Sequence, residues 1–212
     1  MRRLLLLISI LFLLFTSCEK EQEPLPSYIE GLVELHADPS GTLRTLITEQ
    51  GTSYGLLNPQ SGYTSNAVYR AYTIYTISSS GVALYQLGIV PSNAPMPMLA
   101  GAVRQDPVEL ISLWKTQSRW LNVHVRMPAG EEKNGLTWGY ICTEERANAL
   151  GTYKMLYMTL ETKIQQAPYL YKQDYFSSCP LASFSNQLRR GVDSICVTLN
   201  TEKGKVERKF VY

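Results

Sequence analysis

The sequence predicts an all-β protein: a small five-stranded barrel followed by an antiparallel β-sandwich. Three observations predict it. Short runs with period-two alternation recur along the chain, separated by Gly-, Pro-, Asn- and Ser-containing turns. The 14 tyrosines, with many Thr, Val and Ile, favour strands over helices. No segment carries a convincing long amphipathic helix.

Five strands are expected in the first half. Ile29 to His36 alternates weakly. Asp38-Pro39-Ser40-Gly41 is a strong turn signal and leads into Thr42 to Thr48. Glu49-Gln50-Gly51 breaks the chain before Ser53 to Leu57. Val68 to Ile77 sets Val68, Arg70, Tyr72, Ile74 and Thr76 on one face, with Tyr69, Ala71, Thr73, Tyr75 and Ile77 on the other. Ser78-Ser79-Ser80-Gly81 turns the chain into Val82 to Ile89. Five short strands in about 65 residues suit a Greek-key barrel.

Pro91 to Pro97 holds three prolines and, with Gly101 and Asp106-Pro107, reads as a boundary. Met96, Met98, Leu99 and Val103 make it apolar for a free linker, so it is expected to pack on one of the domains. The second half opens with Val108 to Lys115, a turn at Thr116-Gln117-Ser118, and Trp120 to Met127. In that strand Leu121, Val123 and Val125 share one face, and Asn122, His124 and Arg126 the other. Leu136 to Thr143 and Tyr153 to Thr162 are further strands, with a helical turn expected over Glu144 to Leu150. Gln165 to Ser178 is expected to be a Tyr-rich irregular stretch, followed by a short helix over Phe184 to Arg190. Val192 to Asn200 and Lys205 to Tyr212 close the chain as a hairpin. About seven strands in this half suit a sandwich. The expected division is a signal peptide (1–17), a tether (18–27), the barrel (28–92), a linker (93–106) and the sandwich (107–212).

The N-terminus bounds location. Met1-Arg2-Arg3, an apolar run from Leu4 to Phe15 and the small residues Thr16-Ser17 form a secretory signal peptide. As a helix the run would reach only about 18 Å, short of a bilayer core. Phe15-Thr16-Ser17-Cys18 resembles a bacterial lipobox, with Phe15 in place of the usual Leu. Cys18 is therefore expected to be lipidated; the alternative is ordinary cleavage without lipid. Two or three acyl chains of the palmitate kind hold a protein firmly, each buried methylene contributing about 0.8 kcal/mol. Glu19, Glu21 and Glu23 resemble an acidic export signal for outward display; the alternative is that they only keep the tether soluble. The expected location is the outer membrane, anchored through Cys18.

Composition excludes some functions. The formal net charge is +2, and removing Arg2 and Arg3 brings the mature chain to about zero. A neutral chain lacks the basic surface that nucleic acid requires, so none is expected as a partner. Cys142, Cys179 and Cys196 are expected as thiols, with a Cys179–Cys196 disulfide as the alternative. Their spacing and the two histidines, His36 and His124, match no zinc pattern, so no metal or cofactor is expected. His36 is expected to be exposed. No nucleophile elbow or phosphate loop occurs, and Glu131-Glu132 and Glu144-Glu145 are adjacent rather than facing pairs. The chain is accordingly not expected to be an enzyme.

Trp114, Trp120 and Trp138 are expected in core and cross-strand packing. Tyr63, Tyr69, Tyr72 and Tyr75 in the first half, and Tyr169, Tyr171 and Tyr175 in the second, are the candidate contacts for a partner or ligand. Tyrosine offers a rigid amphipathic surface to protein or sugar.

The strings DPVELISLWKTQSRWLNVHVRM (Asp106 to Met127) and VDSICVTLNTEKGKVERKFVY (192 to 212) resemble the opening and closing segments of the second domain in the NigD-like lipoproteins. That family has a lipobox, an acidic tether, an N-terminal OB-like domain and a C-terminal β-sandwich. The resemblance covers nearly the whole chain. This sequence departs from it by a less acidic stretch after Cys18 and by three extra cysteines. The resemblance implies an OB-like barrel and a proposed immunity role against a bacteriocin. It thus points to a cell-envelope lipoprotein that binds a protein partner; a glycan-binding accessory lipoprotein is the alternative.

Overall fold

The computed structural model describes residues 27–117, 119–130, 134–164 and 171–212. The signal peptide, most of the tether, Cys18 and Tyr169 lie outside the described residues.

The barrel is built from β1 (Ile29–Ala37), β2 (Leu43–Ile47), β3 (Ser53–Gln60), β4 (Val68–Ser78) and β5 (Gly81–Val90). Its strand order, β1-β2-β3-β5-β4, closes because β1 pairs with both β2 and β4. Alternation decides what it encloses. Val33 and Leu35 of β1, Ala71 and Tyr75 of β4, and Val82 and Leu84 of β5 point inward with Leu43 and Leu46. The β1–β2 turn forms as its composition requires. Asp38 Oδ1 accepts from the Ser40 and Thr42 amides at 2.8 and 3.0 Å. Gly41 sits at φ +76, where a Cβ would strike the Tyr63 carbonyl.

The sandwich has a five-stranded sheet, β13-β12-β10-β9-β6, over a three-stranded sheet, β11-β8-β7. Its strands are β6 (Met96–Pro97), β7 (Glu109–Lys115), β8 (Trp120–Ala129), β9 (Gly135–Asn148), β10 (Gly151–Lys163), β11 (Tyr171–Pro180), β12 (Ser194–Thr201) and β13 (Gly204–Val211). Leu121, Val123, Val125 and Met127 of β8 meet Trp138, Leu156, Met158, Ile195 and Val197 across the core. Most pairings are antiparallel, as expected, but β10 and β12 run parallel. The chain leaves β10 for the other sheet, forms β11 there, and returns in the same direction. β6 also pairs in parallel with β9, and the Met98 amide donates to the Tyr140 carbonyl at 2.8 Å. The proline-rich segment is thus joined to the sandwich.

Three local expectations are corrected. Glu144 to Asn148 continues strand β9 rather than forming a helical turn, because each residue pairs across to β10. The stretch from Tyr171 is strand β11, paired to β8 along its length; residues 165–170 lie outside the described residues. The expected helix over Phe184 to Arg190 is a single 3-10 turn placed earlier, at Leu181–Phe184.

Candidate functional site at the domain junction

The barrel sits on the sandwich, and the side chains between them come from faces that alternation alone would give to solvent. On β1, Glu34 and His36 point away from the barrel core. On β4, Arg70 and Tyr72 do the same, and Arg70 lies directly across from Glu34. The sandwich meets them with the outer face of its three-stranded sheet: Trp114, Trp120, Asn122, His124, Phe176 and Ser178. Asn122 pairs in register with Trp114 and Ser178, and His124 with Phe176.

One half of the junction is ionic and mostly closed. Arg70 is 1% exposed. Its Nη2 donates to Glu49 Oε1 at 2.8 Å and to Asn122 Oδ1 at 3.0 Å, and its guanidinium lies 5.4 Å from the Trp120 ring centroid. Trp114 Nε1 donates to the other Glu49 oxygen at 2.9 Å, and Ser178 Oγ donates to Asn122 Oδ1 at 2.7 Å. Glu34, also buried, accepts from Trp120 Nε1 at 2.6 Å, from Arg119 Nη1 at 3.0 Å and from His36 Nε2 at 2.5 Å. Burial pushes the Glu34 carboxyl up, but the bonds from His36 and Trp120 and the charge of Arg119 hold it below its ordinary value. A cleft of about 190 Å³ opens beside this cluster, between Glu34, Glu49, Arg70 and Arg119.

The other half is aromatic and open. Phe176 lies between two rings: Tyr72 of the barrel at 4.6 Å and His124 of its own sheet at 4.1 Å, both near parallel. Tyr72 donates to Glu30 at 2.6 Å. Burial and then the Glu30 carboxylate push its phenol up to about 12. Asp174 stands 3.3 Å from His124 Nε2 and accepts from Arg126 Nε at 2.9 Å, which holds its carboxyl below the usual range. A groove of about 590 Å³ opens here, lined by Tyr72, Ile89, Asn134, Asp174, Tyr175 and Phe176 among others. Aromatic and aliphatic faces stand beside amide, carboxylate and phenol groups, the mixture that orients a bound group by a few polar contacts.

The sequence-predicted contacts divide. Tyr72 and Tyr175 come together on this groove. Tyr63 and Tyr69 instead pack edge to face at 5.2 Å against the barrel core. Tyr75 is inside that core and only 6% exposed. Tyr171 is exposed at the start of β11. His36 is half-buried against Glu34 rather than exposed. Of the tryptophans, only Trp138 is in the sandwich core; Trp114 and Trp120 serve the junction.

No described cysteine meets a histidine. His124 faces the barrel, whereas Cys179 faces the sandwich core, where burial pushes its thiol up to about 12. Cys196 is likewise buried, first by desolvation and then by Glu207 pushed up to about 11. Both are free thiols, as is the exposed Cys142, so Cys179 and Cys196 are not paired. Among the described residues, no three His, Cys, Asp or Glu gather closely enough to hold a metal ion.

No family model matches the sequence, and no curated protein matches it. Solved structures do. A NigD-like immunity protein from Bacteroides caccae is similar over 89% of this chain and 98% of its own, with a TM-score of 0.64 at 18% identity. A toxin-related protein from Parabacteroides distasonis is similar over 88% and 93%, at 0.63 and 12%. A lipoprotein from Bacteroides fragilis is similar over 87% and 97%, at 0.61 and 13%. At these identities the likeness is one of fold: the barrel and sandwich together, not either alone, form the architecture this chain has in common with a NigD-like immunity protein and a Bacteroides lipoprotein.

Proposed function

We propose that this chain is a non-enzymatic lipoprotein of the bacterial cell envelope. In this reading Cys18 carries the lipid, the outer membrane holds the anchor, the domains face outward, and the junction groove binds a protein partner in an immunity-like role. The observation that carries the reading is the match of the two-domain fold, over 89% of this chain and 98% of the other, to a protein described as a NigD-like immunity protein. The lipobox-like string ending at Cys18 and the likeness to a Bacteroides lipoprotein support the location. The groove supports the binding role: Tyr72, Ile89 and Phe176 supply apolar surface, and Asp174 and Tyr175 supply orientation. A photoreactive residue in place of Tyr175 on intact cells is expected to capture one defined protein. Capture of none, with retention of the protein on an oligosaccharide array, overturns the partner.

One observation favours a glycan as the second reading. Tyr72 and Tyr175 share the groove with Asn134, Gln173 and Asp174, the pairing of aromatic rings with amide and carboxylate groups that sugars require. Array binding lost in Tyr175→Ala separates it from the first. Membrane association lost in Cys18→Ala tests the anchor independently of either ligand.

A further inference from the structure

Between Glu49 and Arg104 the sequence contains one charged residue, Arg70, and Arg70 is buried against the sandwich. Strands β3, β4 and β5 therefore show no charge to solvent. Soluble surfaces ordinarily place charges of both signs throughout, so a wall without any is an interaction surface. Val68 and Ile89 are exposed toward the other end of these strands, but a larger apolar group gathers beside the start of β1. Tyr28, Ile29, Leu57, Ile77 and Tyr85 are all exposed, at 38 to 59%, and all lie at one end of the barrel. Ile29 pairs with Tyr75 and Ile77 with Val82, while Leu56, next to Leu57, also pairs with Val82. Tyr28 and Tyr85 meet edge to face at 5.0 Å. The ionic half of the junction is elsewhere: Glu34↔Arg70 lies five residues along β1 from Ile29↔Tyr75, roughly 17 Å at the strand rise; the aromatic half is nearer, with Tyr72 opposite Leu32, three residues from Ile29.

From this we infer that the Tyr28–Tyr85 end of the barrel rests on the lipid surface to which the chain is tethered. The inference builds on the proposed anchor at Cys18. About ten residues separate Cys18 from Tyr28, so the tether reaches at most about 35 Å, and it joins the barrel at this end. Tethering holds the patch near lipid at millimolar effective concentration, so a weak contact is populated. Tyrosine suits the headgroup level, its ring toward the acyl chains and its hydroxyl toward water. Ser, Thr, Asn and Gln around it exchange bonds with water for bonds with headgroups. Strands β3 to β5 add no charge to repel an anionic leaflet, and Glu30, exposed beside Ile29, accepts from the Tyr72 hydroxyl at 2.6 Å. The sandwich and the groove are thereby held on the side away from the membrane.

The test uses the mature chain, Cys18 to Tyr212, with Cys142→Ser to remove the exposed thiol. Cys18 is joined to a maleimide lipid in vesicles of phosphatidylethanolamine and phosphatidylglycerol, so the result does not depend on whether the cell lipidates it. Amide exchange over residues 27–30, 53–58 and 76–86 is expected to slow about tenfold relative to the same chain capped off the vesicle, the protection given by a contact occupied nine times in ten. Tyr28→Ser with Tyr85→Ser is expected to restore the faster exchange, while protection of 156–160 in the sandwich core shows that the variant is folded. Equal exchange on and off the vesicle overturns the inference, as does protection that survives the double substitution. So does a photoreactive residue at position 85 that, on intact cells, reaches protein rather than lipid. Mass spectrometry showing no lipid on Cys18 would overturn the anchor instead, leaving the vesicle result to stand by itself.

Discussion

The two halves of the domain junction lie side by side on the same pair of faces, yet they are held by different physics. Around Arg70 the interface is ionic and mostly closed, and Glu34 and Glu49 each have several donors. Around Phe176 it is a stack of rings that opens onto a groove. A closed ionic contact fixes geometry strongly but is costly to leave half-made, because a buried charge without its partner is penalised heavily. A ring stack is weaker and more tolerant, and it leaves surface for a ligand. The closed half thus sets the relation between the domains, and the open half uses it.

Four experiments break or sharpen this contrast. The largest effect is expected from Arg70→Ala, which takes the ion-pair partner from half-buried Glu49, a donor from Asn122, and a large buried side chain from between the domains, at about 3–5 kcal/mol in urea unfolding; a loss under about 1 kcal/mol would show the ionic half to be decorative. Glu34→Gln comes next, at about 2–3 kcal/mol near neutral pH, since Trp120, Arg119 and His36 lose a charged acceptor. Its pH dependence carries a sign. The folded carboxyl lies below its ordinary 4.5, so the stability it contributes is present above 4.5 and lost as pH falls through the folded value. The gap between wild type and Glu34→Gln should therefore narrow on acidification below 4.5; a gap that widens refutes the assignment. In the aromatic half, Tyr72→Ala and Phe176→Ala should each cost less than Arg70→Ala, and their double-mutant cycle should show about 1 kcal/mol of coupling. A cycle that sums to zero would mean the rings touch without cooperating. The smallest effect is expected at Cys179 in the Arg70→Ala chain. Because that thiol faces the sandwich core, its alkylation rate should stay slow after the junction is loosened, while the exposed Cys142 reacts in both chains.

Much of the fold was legible because period-two alternation is a direct record of burial on one face. β1, β4, β8 and the closing hairpin fall where Val, Leu and Ile alternate with polar residues. The reading fails where that record is overwritten. β11 carries Tyr175, Ser177 and Cys179 toward the sandwich and Asp174, Phe176 and Ser178 toward the barrel, so neither face is purely apolar. Residues 144–150 are rich in good helix formers, but pairing with β10 overrides their propensity. The junction was the least legible part. Nothing in the alternation separates Glu34 and Arg70 from solvated charges, because their burial is caused by a second domain and not by their own strand. For the same reason Tyr63, Tyr69, Tyr72 and Tyr75 looked like one group. The barrel sends three of them toward its core and only Tyr72 toward the sandwich. Trp114 and Trp120 looked like core residues because a tryptophan that donates to a carboxylate at an interface has the same sequence signature as one packed inside.

The uneven character of the junction also bears on the order in which the chain can be completed. The barrel precedes the sandwich along the chain, and domains generally fold as units. Standing alone, the barrel exposes Glu34 and Arg70 as neighbouring opposite charges, which water accommodates at little cost. The sandwich, delivered second, presents Trp114, Trp120 and Phe176 on a sheet face that has no cover of its own. A finished barrel therefore offers the later sheet a water-tolerant cover for those rings.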